Sequence, residues 1–251
     1  MSRAAQVWPP VVFGLGALVL WELVVRATGV PEFLLPAPSA IAQQLVAAFG
    51  TVVATALVTG GNALIGLVAG FVLGVGLALL AARSRMVSEL STPLVSAAAA
   101  VPIVALAPVF TTMFGSTTEL PRRLVVTVVV IVPVFVSTAR GLAQVAPVHH
   151  DLMAALAASP AQVSRFVRLP GAVPYIVTGL RLAAPAAVIA AIVAEYFGGL
   201  QNGLGSRITS AAANTAYARA WAFVVASIVL GLLFYLAGLL AERVVARTYG
   251  Y

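Results

Sequence analysis

Ionisable and polar side chains are scarce in this chain, and their densest group falls within 149–168: His149, His150, Asp151, Ser159, Gln162, Ser164, Arg165 and Arg168. Metal binding, nucleophilic catalysis and proton transfer are the chemistries such residues could support. The spacing suits none of them. His149 and His150 are neighbours, and adjacent helical residues point about 100° apart, so they do not share an ion. No Ser/His/Asp nucleophile set and no pair of acid–base carboxylates stands out, because the seven acidic residues are dispersed. The absence of cysteine excludes thiolate chemistry, disulfides and Cys-based metal sites. All 14 basic residues are arginine. A phosphate-binding loop of the G-x-x-x-x-G-K-[ST] kind needs its lysine, so any ATP hydrolysis belongs to a partner.

The segment has a mechanical logic instead. Ser159-Pro160-Ala161-Gln162 reads as a capping box, with Ser at the N-cap, Pro at the first helical position and Gln three residues on. A helix therefore starts at Pro160, and Leu169 before Pro170 is expected to end it. Val163, Phe166 and Val167 form its apolar edge, with Gln162, Arg165 and Arg168 facing elsewhere. Upstream, Leu152 and Leu156 stack four residues apart, and Ala154, Ala155, Ala157 and Ala158 keep the surface low. Two short helices meeting at a tight corner, Ala157-Ala158-Ser159, make a knob suited to a partner's groove. An ordinary loop with some helix in it is the plainer alternative.

The rest of the chain is oily: 62% hydrophobic and 8% charged over 251 residues. That is too few charges to cover a soluble surface, so the expectation is an all-α, polytopic transmembrane bundle forming one domain over 1–251. Apolar windows of about 20 residues place spans near 8–27, 51–82, 90–114, 122–143, 174–197 and 220–241. The stretch 90–114 holds Pro93, Pro102 and Pro108 and is a candidate broken or re-entrant helix. Near the start no A-x-A-like site follows the apolar run and Trp21-Glu22 interrupts it, so a retained first span is expected. A short surface helix with Ser39 as its N-cap is expected between the first two spans.

Arg165 and Arg168 would each cost about 2.5–3.5 kcal/mol at a helix centre in the bilayer, so 149–170, within the expected loop 147–173, is expected in water or buried in another protein. The scattered arginines read as topology signals. With both termini cytoplasmic, Arg3, Arg83, Arg85, Arg140, Arg165, Arg168, Arg243 and Arg247 fall inside. Arg26, Arg122, Arg123, Arg207 and Arg219 fall outside, and the Arg122-Arg123 pair runs against the bias. Scattered arginines also argue against nucleic acid as a partner.

Gly66, Gly70 and Gly74 form a smooth stripe on the second span, either for packing within the subunit or for a contact between subunits. Asn62, Thr59, Ser137 and Thr138 are polar at membrane depth. Glu195 ends the fifth span ahead of the Gly-rich "GGLQNGLG". It is a candidate for a binding-protein contact, for pairing with Arg207, or for simple hydration. Glu22, beside Trp21, is placed to pair with an arginine or to reach the surface. Asn62, Ser137 and Glu195 are the candidate pathway residues.

The segment at 151–170 resembles the cytoplasmic coupling loop of ABC importer permeases, the EAA loop. That pattern reads E-A-A, three residues, G, nine residues, I, one residue, L-P. Without gaps, Asp151-Leu152-Met153 stands at the E-A-A place, Ala157 at the G, Val167 at the I, and Leu169-Pro170 matches outright. "LWELVVRATGVPEFLLPAPSAI", "VPIVALAPVFTTMFG", "LPGAVPYIVTGLRLA" and "VAEYFGGLQNGLGSRI" are likewise similar, in order, to permeases of the nitrate, sulfonate and taurine importer group. That group also takes up thiamine-precursor pyrimidines.

The resemblance implies a permease subunit and not an enzyme. It pairs with a second permease copy, grips cytoplasmic ATP-binding subunits and receives a small anionic or heterocyclic solute from an extracytoplasmic binding protein. ATP and Mg would sit on the partner subunit. Asp151, Leu152, Met153, Leu156, Ala157, Ala158 and Ser159 would form the docking knob with Leu169 and Pro170. Arg165 and Arg168 would meet acidic groups or lipid headgroups. An ion-coupled transporter or channel is the alternative, but the membrane-depth charges Glu22, Arg140, Arg181 and Glu195 are not spaced as a relay. A non-transporting scaffold is the other, and it would not need a rigid knob.

Overall fold

The computed structural model describes residues 3–144 and 146–249; within these, the side chains of Arg3, residues 4–7, Arg85, Thr92, Ser96, His150 and Tyr249 lie outside that description. The described chain is helical: α1 (Arg3–Thr28), α2 (Pro38–Ala47), α3 (Phe49–Arg83), α4 (Arg85–Ala100), α5 (Ile103–Phe114), α6 (Leu120–Ala143), α7 (Pro147–Ala155), α8 (Pro160–Val163), α9 (Leu169–Tyr196), α10 (Leu204–Ala213) and α11 (Tyr217–Tyr249). A π-helical turn, Ser164–Arg168, joins α8 to α9. The fold class is the one expected, an all-α membrane bundle.

Small residues decide how the helices meet. In lipid there is no hydrophobic drive between helices, so close backbone approach and dispersion do the work. A Cβ placed on Gly66 would stand 2.5 Å from that of Val126, one on Gly70 2.6 Å from Val130, and one on Gly74 3.0 Å from Val134. The glycine stripe therefore lies against α6 of the same chain. Partners rise in number together along both helices, so α3 and α6 run parallel. On the opposite face of α6, a Cβ on Gly141 would meet Tyr175 and one on Gly179 would meet Ser137, an antiparallel register for α9. The shared core is Ala63, Leu67, Val126, Val130 and Val134 against Ala183, Ala184, Ala187, Val188, Ala190 and Ala191.

Parallel α3 and α6 require the chain to recross the membrane between them, and α4 with α5 is the connection. The two meet at 98°, at Val101-Pro102, where α4 stops and Pro102 precedes the first residue of α5. Among the described residues five helices are long and apolar enough to cross a membrane, and the bent pair, counted as one broken span, brings the number to six. The stretch 90–114 is thus broken, as its prolines suggested.

α1 docks at one end. Its Glu22 accepts from the Ser39 backbone N–H at 2.9 Å and from the Ser39 hydroxyl at 2.7 Å, and pairs with Arg26 at 2.5 Å. Trp21 meets Trp221 edge-on at 5.7 Å. Ser39 is not the N-cap of α2; Ala37 holds that position with Pro38 at the first turn. The cap comes from another helix, because a carboxylate on α1 satisfies an N-terminal N–H of α2.

Candidate functional site

The knob is built by two local devices. At the end of α7, Ala157 adopts φ +48°. Its N–H donates to the Ala154 carbonyl, and the Ala158 N–H donates to the Met153 carbonyl, both at 3.0 Å. These are the two bonds of a Schellman motif, with Ala157 at the left-handed position that glycine usually fills. Ser159 then starts the next helix: its N–H donates to Gln162 Oε1 at 2.7 Å and its hydroxyl accepts from the Gln162 N–H at 3.4 Å. The expected capping box is present, and it follows the Schellman motif directly, Ser159 coming after Ala158. The corner is defined by its own backbone.

The expected stop at Pro170 does not occur. The helix begun at Pro160 runs without interruption to Tyr196, 37 residues in all. The π turn is the reason. The Leu169 N–H reaches back to the Ser164 carbonyl, a five-residue step that widens the helix ahead of Pro170 and relieves the clash of its ring with the preceding turn. Pro174 and Pro185 are also carried inside α9, as membrane helices allow where neighbours satisfy the freed backbone groups. The knob therefore consists of α7 and the near end of α9, not two isolated short helices. Asp151, Leu152, Leu156, Ala157, Ser159, Arg165, Phe166, Arg168, Leu169 and Pro170 are exposed on it, while Met153 and Ala158 are half-buried. Leu156 at 67% and Phe166 at 63% exposure put large apolar side chains on a segment that also carries the exposed Arg165 and Arg168. Arg165 lies 5.7 Å from the Phe166 ring centroid.

A second cluster gathers at the opposite end of the bundle. Arg122, 3% exposed, donates to Glu119 Oε2 and Asn202 Oδ1, each at 2.8 Å, and to the Leu200 carbonyl. Glu119 also accepts from Asn202 Nδ2 and Asn62 Nδ2, each at 2.7 Å, and Arg123 donates to Asn62 Oδ1 at 3.0 Å. Burial alone would raise the Glu119 carboxyl; the Asn202 hydrogen bond, the Arg122 charge and the Asn62 hydrogen bond outweigh it and hold the group below its ordinary value.

Next to this network, Glu195 is 1% exposed. It accepts from the Thr59 hydroxyl at 2.9 Å and from the Gly205 N–H at 2.7 Å. Thr59 in turn accepts from the Leu204 N–H at 2.9 Å. A Cβ on Gly203 or Gly205 would run into the Glu195 carboxylate or the Ile192 carbonyl, which explains the glycines of "GGLQNGLG" at those two places.

Glu195 is thus neither hydrated nor paired with Arg207; it seals the first turn of α10. Arg122 and Arg123 are internal hydrogen-bond donors rather than topology signals or headgroup anchors. The sequence showed this only as an exception to the charge bias. Of the three candidate pathway residues, Asn62 and Glu195 come to this end together. Ser137 lies about 22 Å along α6 from Arg122, at 1.5 Å per residue, on the α9 interface beside Gly179.

Residues 70–248 match the family described as the inner membrane component of binding-protein-dependent transport systems. The formylaminopyrimidine transport permease protein ThiX of Halalkalibacterium halodurans is 34% identical over 200 residues, 79% of each chain. The riboflavin transport system permease protein RibX of Chloroflexus aurantiacus is 29% identical over 184 residues, 72% of this chain and 68% of its own. The MetNI methionine ABC transporter, in an inward-facing form, superposes with a TM-score of 0.65 at 19% identity, over 78% of this chain and 97% of that one. An amino acid ABC transporter superposes with a TM-score of 0.64 at 13% identity, over 82% and 95%. Matched over most of its length and sharing the fold of these transporters, the chain belongs to the binding-protein-dependent transport inner membrane component family, the permeases of ABC transporters.

Proposed function

We propose that this chain is the permease subunit of an ATP-driven importer, with residues 147–173 as the handle gripped by a cytoplasmic ATP-binding subunit. The observation that carries the reading is the exposed corner at Ala157, rigidly defined by a Schellman motif and a capping box and continuous with a span. A loop that only connects two helices has no use for such definition. Ala157 marks the closest approach of the partner. Asp151, Leu152, Met153 and Leu156 line one side of the contact, and Arg165 and Arg168 meet acidic groups at its edge. ATP and Mg sit on the partner. The chain acts as one permease domain, and two copies form the path.

With the handle inside, both termini are cytoplasmic. The use of Arg122 and Arg123 inside the protein supports this orientation, because it removes the main exception to the arginine bias. The solute is small and heterocyclic or anionic, handed over by an extracytoplasmic binding protein. The names of two relatives, which speak of formylaminopyrimidine and riboflavin, favour a heterocycle. The Asn62 and Glu195 end faces the delivery side.

The test is co-purification. The wild type is expected to retain ATP-binding subunits, and Ala157→Glu to lose them together with transport. Transport that continues after that loss would point to an ATP-independent carrier and end this reading.

A further inference from the structure

α9 and the helix before it form one rod of about 55 Å at 1.5 Å per residue, from Pro160 at the handle to Tyr196 at the far end. Its buried face is almost entirely alanine: Ala183, Ala184, Ala187, Ala190, Ala191 and Ala194. Such a face presents low ridges, and low ridges let a packed helix shear by small steps against its neighbours. Side-chain hydrogen bonds fasten the rod at its middle and at its far end. Around the midpoint, Tyr175 donates to Gln144, and Thr178 and Arg181 donate to Glu242 of α11 at 2.9 and 2.8 Å. At the far end the fastening is Glu195, on Thr59 of α3 and the Gly205 N–H of α10.

The loop between, 197–203, has its other anchor on Arg122 through the Leu200 carbonyl and Asn202. Gly198 and Gly199, at φ +119° and +85°, sit between the end of the rod and that anchor, where only glycine turns so freely.

We infer that Glu195 is a positioning residue, the clasp through which displacement of the handle reaches the extracytoplasmic loop 197–203 and α10. The inference rests on the reading of 147–173 as the ATPase handle. A shift of the rod withdraws the Glu195 carboxylate from the Gly203–Gly205 turn. That turn cannot follow with its geometry intact, because it fits around the carboxylate with no room for a Cβ. The Arg122 anchor stays with α6, so the loop between the two fastenings changes shape. One rod thereby joins the nucleotide side to the delivery side.

The chain has no cysteine, so Gln201→Cys and Val53→Cys, carried by one permease copy beside an unlabelled second copy and cysteine-free partner subunits, give a single spin-label pair reporting the loop against α3 in the full transporter. The wild type is expected to show one narrow distance without nucleotide and a second distance when a non-hydrolysable ATP analogue closes the partner subunits. Glu195→Gln is expected to broaden the first distance, abolish the nucleotide-driven shift and lower stimulation of ATP hydrolysis by the binding protein at least five-fold. Thr59→Val, which removes the hydroxyl that donates to Glu195 and accepts from the Leu204 N–H but leaves the carboxylate and its Gly205 bond in place, is expected to do the same more weakly, and it serves if Glu195→Gln does not fold.

Unchanged distances in a folded variant overturn the inference. So does lost stimulation with an intact shift, which would make Glu195 a contact for solute or binding protein. The nucleotide-free distance is readable without a bound ATPase. A handle that fails to hold its partner, with Ala157→Glu harmless, is therefore told apart from a clasp that does not exist.

Discussion

Gly70 of α3 lies so close to Val130 of α6 that a methyl group added to it would sit 2.6 Å from the valine Cβ and 2.7 Å from the Thr127 carbonyl. This contact, with its equivalents one turn on either side, sets two spans parallel and so forces the bent α4–α5 crossing. Gly70→Ala is expected to lower stability by about 1–3 kcal/mol, the usual cost of forcing atoms into a packed core, and Gly70→Leu to prevent folding. Gly76→Ala, on the same helix but facing open space, is expected to be harmless. Thermal unfolding in detergent separates them.

At the corner of the knob, the alanine in the left-handed position carries local strain. A non-glycine residue there costs roughly 1–2 kcal/mol, so Ala157→Gly is expected to slow amide exchange at Ala157 and Ala158, whose N–H groups make the motif. Ala157→Val is expected to speed it, since a β-branched residue suits φ +48° still less. Exchange unchanged in both variants would mean the corner is not held by this backbone motif.

The Glu119–Arg122 network has an acid limit. The Glu119 carboxyl is held below its ordinary value of 4.5 in the folded chain, so it binds its proton less readily folded than unfolded. Its contribution is complete above 4.5 and is lost as the pH falls through the depressed value. Unfolding followed from neutral pH into the acid range should show that loss in the wild type. Glu119→Gln should be less stable at neutral pH by about 1.5–3 kcal/mol, the worth of a charge-assisted hydrogen bond, and should show a flatter acid limb.

Arg181 and Glu242 join α9 to α11 at 2.8 Å with side chains 32% and 19% exposed. Arg181→Met is expected to cost roughly 2 kcal/mol, less than the 3–5 of a fully buried pair broken on one side. The double variant Arg181→Met with Glu242→Met is expected to recover part of it, since the uncompensated carboxylate is then gone. Additive losses in a double-mutant cycle would refute the coupling.

What the sequence determined by itself was local or compositional. An oily chain with too few charges must lie in lipid. Ser159, Pro160 and Gln162 define a helix start within four residues, and a stripe of glycines every four residues must meet another helix closely. These follow from periodicity and hydrogen-bond valence. Pro170 misled because the rule for residues before proline assumes an α-helical turn, and a π turn five residues long absorbed the ring. Only the tertiary structure decided which residues meet across the chain. Glu195 and Thr59 are 136 positions apart, Arg122 and Asn202 80 apart, and no local pattern marks either pair. A buried charge looks like a boundary charge in one dimension; what surrounds it in three makes it a clasp instead.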